Sequence, residues 1–162
     1  MEQKKSKGQS QRYLNFSLGS EEYAIPLNAV KEVIALPEVT SVPYTPPHFL
    51  GIMNLRGQVI SVIDLRLKFG IKAETTAETA VIICEMGQHS LGMVVSSVNS
   101  VLALEESEIS PKPEIHSHRN TDYIQGVAKK DKHLVLLLDI VKALSAEEQA
   151  AISRATGVKK AA

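Results

Sequence analysis

Gly51-Ile52-Met53-Asn54-Leu55-Arg56-Gly57-Gln58-Val59-Ile60-Ser61-Val62-Ile63-Asp64 is the stretch around which the chain is organised. Val59 to Ile63 is a short, largely β-branched run of strand type, and Asn54-Leu55-Arg56-Gly57 before it carries the residues of a hairpin turn. Asp64 then precedes Leu65-Arg66-Leu67-Lys68-Phe69 and Gly70, the pattern of a capped single helical turn with a glycine stop. The same pattern returns 75 residues later, where Gly51 meets Gly126, Val59 meets Leu134, Ile60 meets Val135, Val62 meets Leu137 and Asp64 meets Asp139. At an offset of 68, Tyr23 meets Leu91, Ile25 meets Met93, Val30 meets Val98 and Val33 meets Val101. A longer loop over 110–120, with two prolines and little apolar content, absorbs the difference. Two similar halves, about 13–70 and 80–144, are therefore expected to meet through their apolar faces.

The flanking sequence agrees with a β protein. Leu14, Phe16 and Leu18 alternate with Asn15 and Ser17, and Tyr23, Ile25 and Leu27 alternate after the turn Gly19-Ser20. Ala80 to Cys84, Leu91 to Val95 and Leu134 to Leu138 are further short aliphatic runs, a spacing that suits small barrels or a sandwich. Ser145-Ala146-Glu147-Glu148 is a capping box that opens a short C-terminal helix to about Arg154. Residues 1–11 and 155–162 read as tails on a single domain over 12–154.

Composition excludes several classes. Lys plus Arg and Asp plus Glu are each 18 in 162 residues, so no basic excess is present for binding nucleic acid or an anionic membrane. The seven Phe and Tyr residues, with no Trp, leave little for base stacking. One cysteine permits no intrachain disulfide, the N-terminus has no apolar signal core, and no run approaches the length of a membrane span. A cytoplasmic protein without direct membrane insertion is the expectation.

The chain holds no phosphate-binding loop, dinucleotide fingerprint, HExxH or GxSxG. His116, His118 and Asp122 are the one candidate metal set, and they read as exposed loop residues. Cys84, in an apolar strand with no adjacent base, reads as a buried thiol. Adjacent pairs such as Glu21-Glu22 read as solvated charge. Asp64 and Asp139 read as caps, because a catalytic group is rarely duplicated. Lys129 to His133 reads as a solvated hairpin tip. No catalytic residue, cofactor or metal emerges, and a rigid β scaffold without chemistry is expected to bind another protein. Leu55 and Arg56 at the hairpin, and the valines that border the seam between halves, are the candidates; a groove there suits an amphipathic helix.

The run Gly51 to Gly70 resembles the core signature of the CheW coupling proteins of bacterial chemotaxis. Glu22-Tyr23-Ala24-Ile25-Pro26-Leu27 with Val30 and Glu32, and Leu91-Gly92-Met93-Val94-Val95 with Val98, support the resemblance, which spans about Arg12 to Arg154. It implies an all-β fold of two pseudo-symmetric, five-stranded, Src-homology-3-like barrels around a shared hydrophobic seam. It also implies a non-enzymatic adaptor that links methyl-accepting chemotaxis receptors to the regulatory domain of the histidine kinase CheA at membrane-associated arrays. A scaffold of a non-chemotactic array is the alternative. By the same resemblance the receptor-binding residues are Val30, Glu32, Val33, Leu55, Arg56, Val98 and Val101, with Arg56 in the key position. Two residues depart from the family pattern. Ser61 stands where proline is common, a change expected to be benign at a strand position though it leaves a strand edge freer to pair, and Ser96 stands where an aspartate often follows the paired valines. A receiver domain after Arg154 is not expected.

Overall fold

The computed structural model describes residues 10–87, 89–111 and 123–144. It is mostly β. The strands are β1 (Ser10–Leu18), β2 (Glu21–Pro26), β3 (Val30–Ala35), β4 (Phe49–Leu55), β5 (Gln58–Asp64), β6 (Ala80–Met86), β7 (His89–Val95), β8 (Ser97–Glu105), β9 (Ile109–Ser110), β10 (Ile124–Lys130) and β11 (His133–Leu138). Each aliphatic run singled out above lies within a strand, while Leu27 falls in a 3₁₀ turn, Leu27–Ala29, after Pro26 ends β2. β1 begins at Ser10, whose ladder partner is Glu105, so the expected tail is shorter by two residues. The C-terminal helix expected from Ser145 lies outside the described residues, as does most of the 110–120 loop.

Two sheets form, in the orders β8-β1-β2-β11-β10-β9 and β3-β6-β7-β5-β4. The sequence halves do not each build their own sheet. The β1–β2 hairpin of the first half joins β8 and β11 of the second, and the β6–β7 hairpin of the second joins β3 and β5 of the first. The two offsets relate these pairings. Parallel partners Ser61 with Leu91 and Val62 with Gly92 correspond to Leu136 with Tyr23 and Leu137 with Ala24. The halves are thus interleaved by main-chain hydrogen bonds rather than simply stacked on their apolar faces.

Buried side chains gather in three clusters among the described residues. One lies under the five-stranded sheet, with Met53, Ile60, Val62, Val81, Ile83 and Val94. Another, under the six-stranded sheet, holds Ala128, Val135, Leu137 and Tyr13, the offset equivalents of Met53, Ile60, Val62 and Val81. The largest, built around Phe16, Leu18, Ile25, Ile63, Ile82, Leu91, Met93 and Leu138, draws on both sheets and both halves. Successive residues of a strand face opposite sides, so Ile82 faces the large cluster while Ile83 faces the small one.

Both repeated aspartates are caps. Asp64 accepts from the Arg66 backbone N–H at 2.9 Å, and Asp139 accepts from that of Lys142 at 3.2 Å, opening the single turns Leu65–Lys68 and Ile140–Ala143. Their own N–H groups also correspond, donating to His48 and Tyr123 carbonyls at 2.8 Å. Both repeated glycines lie under a crossing chain. Gly51 passes beneath Thr40, which bridges to Ile52, and Gly126 passes beneath Ser110, which pairs with Val127. Ser61 is fully buried between Ile52 on β4 and Leu91 on β7, so β5 is an interior strand and its missing proline frees no edge. Ser96 accepts from the Gly19 N–H at 3.0 Å, which gives this departure a turn-stabilising role.

Candidate partner-binding site

The β4–β5 hairpin turns on Arg56-Gly57, with φ of +53° and +85°. Two consecutive positive φ values match the twist of the flanking strands, and the Asn54 side chain secures the turn by accepting from the Gly57 N–H at 2.9 Å. Arg56 spans to β3, where its two Nη atoms donate to the two Glu32 carboxylate oxygens, both at 2.8 Å. The fork fits the carboxylate with both donors in plane. The Arg56 side chain remains 70% exposed and that of Glu32 26% exposed, so the pair is a surface feature aligned for contact rather than a core strut.

The Arg56 hydrogen bond holds the Glu32 carboxyl below its ordinary pKa of 4.5, and the Glu32 partner in turn raises the Arg56 guanidinium. A depressed carboxyl pKa makes the pair's contribution complete above the ordinary value and lost as pH falls through the lowered one. Carbon-detected NMR titration of the Glu32 carboxyl is expected to show a midpoint below 4.5 in the wild type. In Arg56→Ala the midpoint should return toward 4.5, and no return would show that Arg56 does not hold the pair in solution.

The remaining expected site residues divide between two faces. Leu55, beside Arg56, is partly buried against the Met53 cluster, and Glu32 is paired with Ile83 of that same cluster. Val30 and Val98 pack instead against the large shared cluster. Val33 and Val101, 41% and 51% exposed, pair with Ile82 and Leu14 of that cluster and continue its face outward at the two sheet edges. Glu32 and Arg56 are brought into contact. The valines form offset-related pairs on β3 and β8, on the opposite face of β3 from Glu32.

Asp131, at the offset position of Arg56, has a matching φ of +54°, and beside it Lys130 reaches Ser100, the equivalent of Glu32, at 3.4 Å. The hairpin-to-strand contact is thus repeated, but only the first half makes it a bidentate ion pair. Sequence reasoning found both hairpins and missed these contacts, because neither partner lies near the other in the chain. Cys84 is buried, and burial pushes its thiol up to about 12, far from a nucleophile. Tyr23 is also raised, chiefly by burial and then by the Glu21 charge, whose carboxylate accepts its hydroxyl at 3.1 Å. Glu22 departs from the solvated reading, since its Oε1 is buried without a hydrogen-bond partner among the described residues. No group of three His, Cys, Asp or Glu side chains converges on a metal position among the described residues. His116, His118 and Asp122 lie outside them. No helix among the described residues is long and apolar enough to cross a membrane.

The CheW-like domain model matches residues 12–148. The chemotaxis protein CheW of Klebsiella aerogenes is 38% identical over 143 residues, covering 88% of this chain and 86% of that protein. That of Bacillus subtilis is 33% identical, covering 85% and 88%. Among solved structures, the scaffolding protein TtCheW of Thermoanaerobacter tengcongensis superposes with a TM-score of 0.74 at 33% identity, covering 80% of this chain and 89% of that one. With its signature run, interleaved repeat and matched domain extending over most of its length, the chain belongs to the CheW family of chemotaxis proteins.

Proposed function

We propose that this protein is a non-enzymatic chemotaxis scaffold that couples the cytoplasmic tips of methyl-accepting receptors to the regulatory domain of the kinase CheA. The observation that carries the reading is the Glu32–Arg56 pair, an exposed, bidentate charge arrangement held on a hairpin whose turn is secured by Asn54. Such a pair contributes little to the fold and is well suited to orient a polar partner. The valines Val30, Val33, Val98 and Val101 supply apolar area on the opposite face of β3 and along β8, which adds apolar contact to the polar one of a protein interface. Within this reading Leu55 and Arg56 contact the receptor together with Glu32 and those valines. The protein works in the cytoplasm, recruited to arrays through its partners. Each contact is modest, and simultaneous engagement supplies the strength.

We read each sheet as a small barrel of five main strands, pseudo-symmetric with the other, with the two-residue β9 as the sixth strand of the larger sheet. The Thr40–Ile52 bridge and the β9–β10 pairing support this, since each returns the chain leaving an edge strand to the opposite edge of the same sheet.

Co-sedimentation of purified CheA with receptor-containing membranes tests the function. Wild-type protein is expected to bring the kinase down and raise its activity, and Arg56→Glu, which sets a second carboxylate against Glu32, is expected to fail while staying folded. Equal recruitment by both proteins would leave coupling intact and remove Arg56 from the site. Recruitment by neither would reduce the resemblance to one of fold.

A further inference from the structure

Tyr44 is fully exposed, and its φ of +61° lies in the left-handed region. Among the described non-glycine residues only Arg56 and Asp131 share this conformation, and each stands in a two-residue hairpin loop where the strand twist asks for it. Tyr44 serves no hairpin. It follows Pro43 in the turn Val42–Thr45, and proline followed by a positive φ is the pattern in which glycine or asparagine ordinarily fills the third place. A bulky side chain there is strained.

The surroundings hold the strained turn in place. Pro43 restricts its own φ, Pro46 and Pro47 follow, and the Thr45 hydroxyl donates to the Val42 carbonyl at 2.9 Å. The Phe49 N–H donates to the Pro46 carbonyl at 2.9 Å, and Val42 packs against the large shared cluster. Every other aromatic of the chain is buried or partly buried. The fold thus spends strain to present its one exposed ring on a stiff base, where little freedom remains to be lost on binding. Tyrosine in that setting offers a large apolar face with a polar tip, the chemistry of an interface anchor.

Position indicates which partner it meets. The turn leads into β4 at Phe49, whereas Arg56 stands beyond the far end of β4 at Leu55. β4 itself is roughly 20 Å long at about 3.3 Å per residue, and the turn and Arg56 adjoin its opposite ends. A scaffold that holds two proteins together needs contact points that do not overlap, and this spacing provides them. We propose that Tyr44 is a second docking point, an aromatic anchor that inserts into an apolar socket on the kinase regulatory domain while the Glu32–Arg56 end faces the receptor. The inference rests on the coupling reading above.

Full-length wild type, Tyr44→Asn and Tyr44→Phe test it through melting temperature and through binding to purified CheA and to receptor membranes, each measured separately. Asparagine tolerates the left-handed conformation, so Tyr44→Asn is expected to melt about 2–4 °C higher. The same variant should bind the kinase at least about tenfold more weakly, as for truncation of an interface anchor. Its receptor binding should be unchanged, and Tyr44→Phe should keep most of the kinase affinity. The opposite signs of the stability and binding effects are the signature, since a purely structural ring would lower both. Raised stability with unchanged kinase binding would overturn the inference, as would loss of receptor binding in place of kinase binding. Wild type that binds neither protein would overturn the coupling reading and this inference with it.

Discussion

Replacing Arg66 by methionine is expected to lower the melting temperature by roughly 10 °C, although Arg66 lies outside every proposed contact. The Arg66 and Asp64 side chains are only 3% and 4% exposed. Nε and Nη2 of Arg66 donate to the two Asp64 oxygens at 3.0 and 2.9 Å, and Nη1 donates to the Glu74 carbonyl at 2.7 Å. Removing the guanidinium leaves a buried carboxylate stripped of its counter-charge, with the Arg66 backbone N–H still donating to it, a change that costs about 3–5 kcal/mol. Each kcal/mol corresponds to about 2–4 °C in a domain of this size. Methionine fills much of the arginine volume, so the loss reports the uncompensated charge rather than a cavity. Arg66→Lys should fall between, because one ammonium cannot serve both carboxylate oxygens and the Glu74 carbonyl. Because the residues share one network, Asp64→Asn combined with Arg66→Met should cost less than the sum of the single changes. Thermal unfolding followed by circular dichroism provides the measurement. An Arg66→Met protein that melts with the wild type would show that the pair contributes nothing net.

Gly51→Ala is expected to be the most damaging glycine-to-alanine change among the described residues, and clearly worse than the same change at its repeat equivalent, Gly126. Gly51 has a φ of +146°, and a Cβ there would be driven into the Thr40 carbonyl. Both the dihedral strain and the displacement of the Thr40–Ile52 bridge act against the variant, together on the order of 3–5 kcal/mol. At Gly126 no positive φ is involved, and a Cβ would lie 2.7 Å from the Ile109 side chain and 2.9 Å from the Ser110 oxygen. Gly126 also meets a backbone carbonyl, but by a shallow overlap and without dihedral strain, whereas Gly51 meets three backbone atoms of Thr40 and Ser41, so Gly126→Ala should cost less, about 1–3 kcal/mol. Chemical denaturation of the two variants ranks them directly. The reverse order would mean that the crossing strand at Thr40 moves more freely than the one at Ser110.

These two expectations mark how far local sequence carries. Val59 to Ile63 and Leu134 to Leu138 are read as strands because their branched side chains suit a pleated, half-buried surface. Asp64 and Asp139 are read as caps because a short carboxylate before a helical turn accepts its free N–H groups. Arg56-Gly57 is read as a turn from residue type alone, and Cys84 as buried from its apolar neighbours. The long signature run placed the chain in its family, and the two offsets of the repeat are visible as pattern because equivalent positions face equivalent surroundings.

Which strand pairs with which was not legible. Periodicity says which face of a strand is buried and nothing about its ladder partner, so the halves read as two separate units where the fold interleaves them. The candidate site divides along the same line. Arg56, Glu32 and the valines could be named from the resemblance, but 24 residues separate Glu32 from Arg56, and only the fold brings them within 2.8 Å. Tyr44 carries no signal in the sequence, because neither its exposure nor its left-handed backbone is encoded in neighbouring residue types. Strand type, turn and cap follow from interactions within a few residues, which the chain carries wherever it goes. Partner strands, the close approach over Gly51 and the ion pair at Arg56 arise from contacts far apart in sequence, and those exist only once the two halves have closed on each other.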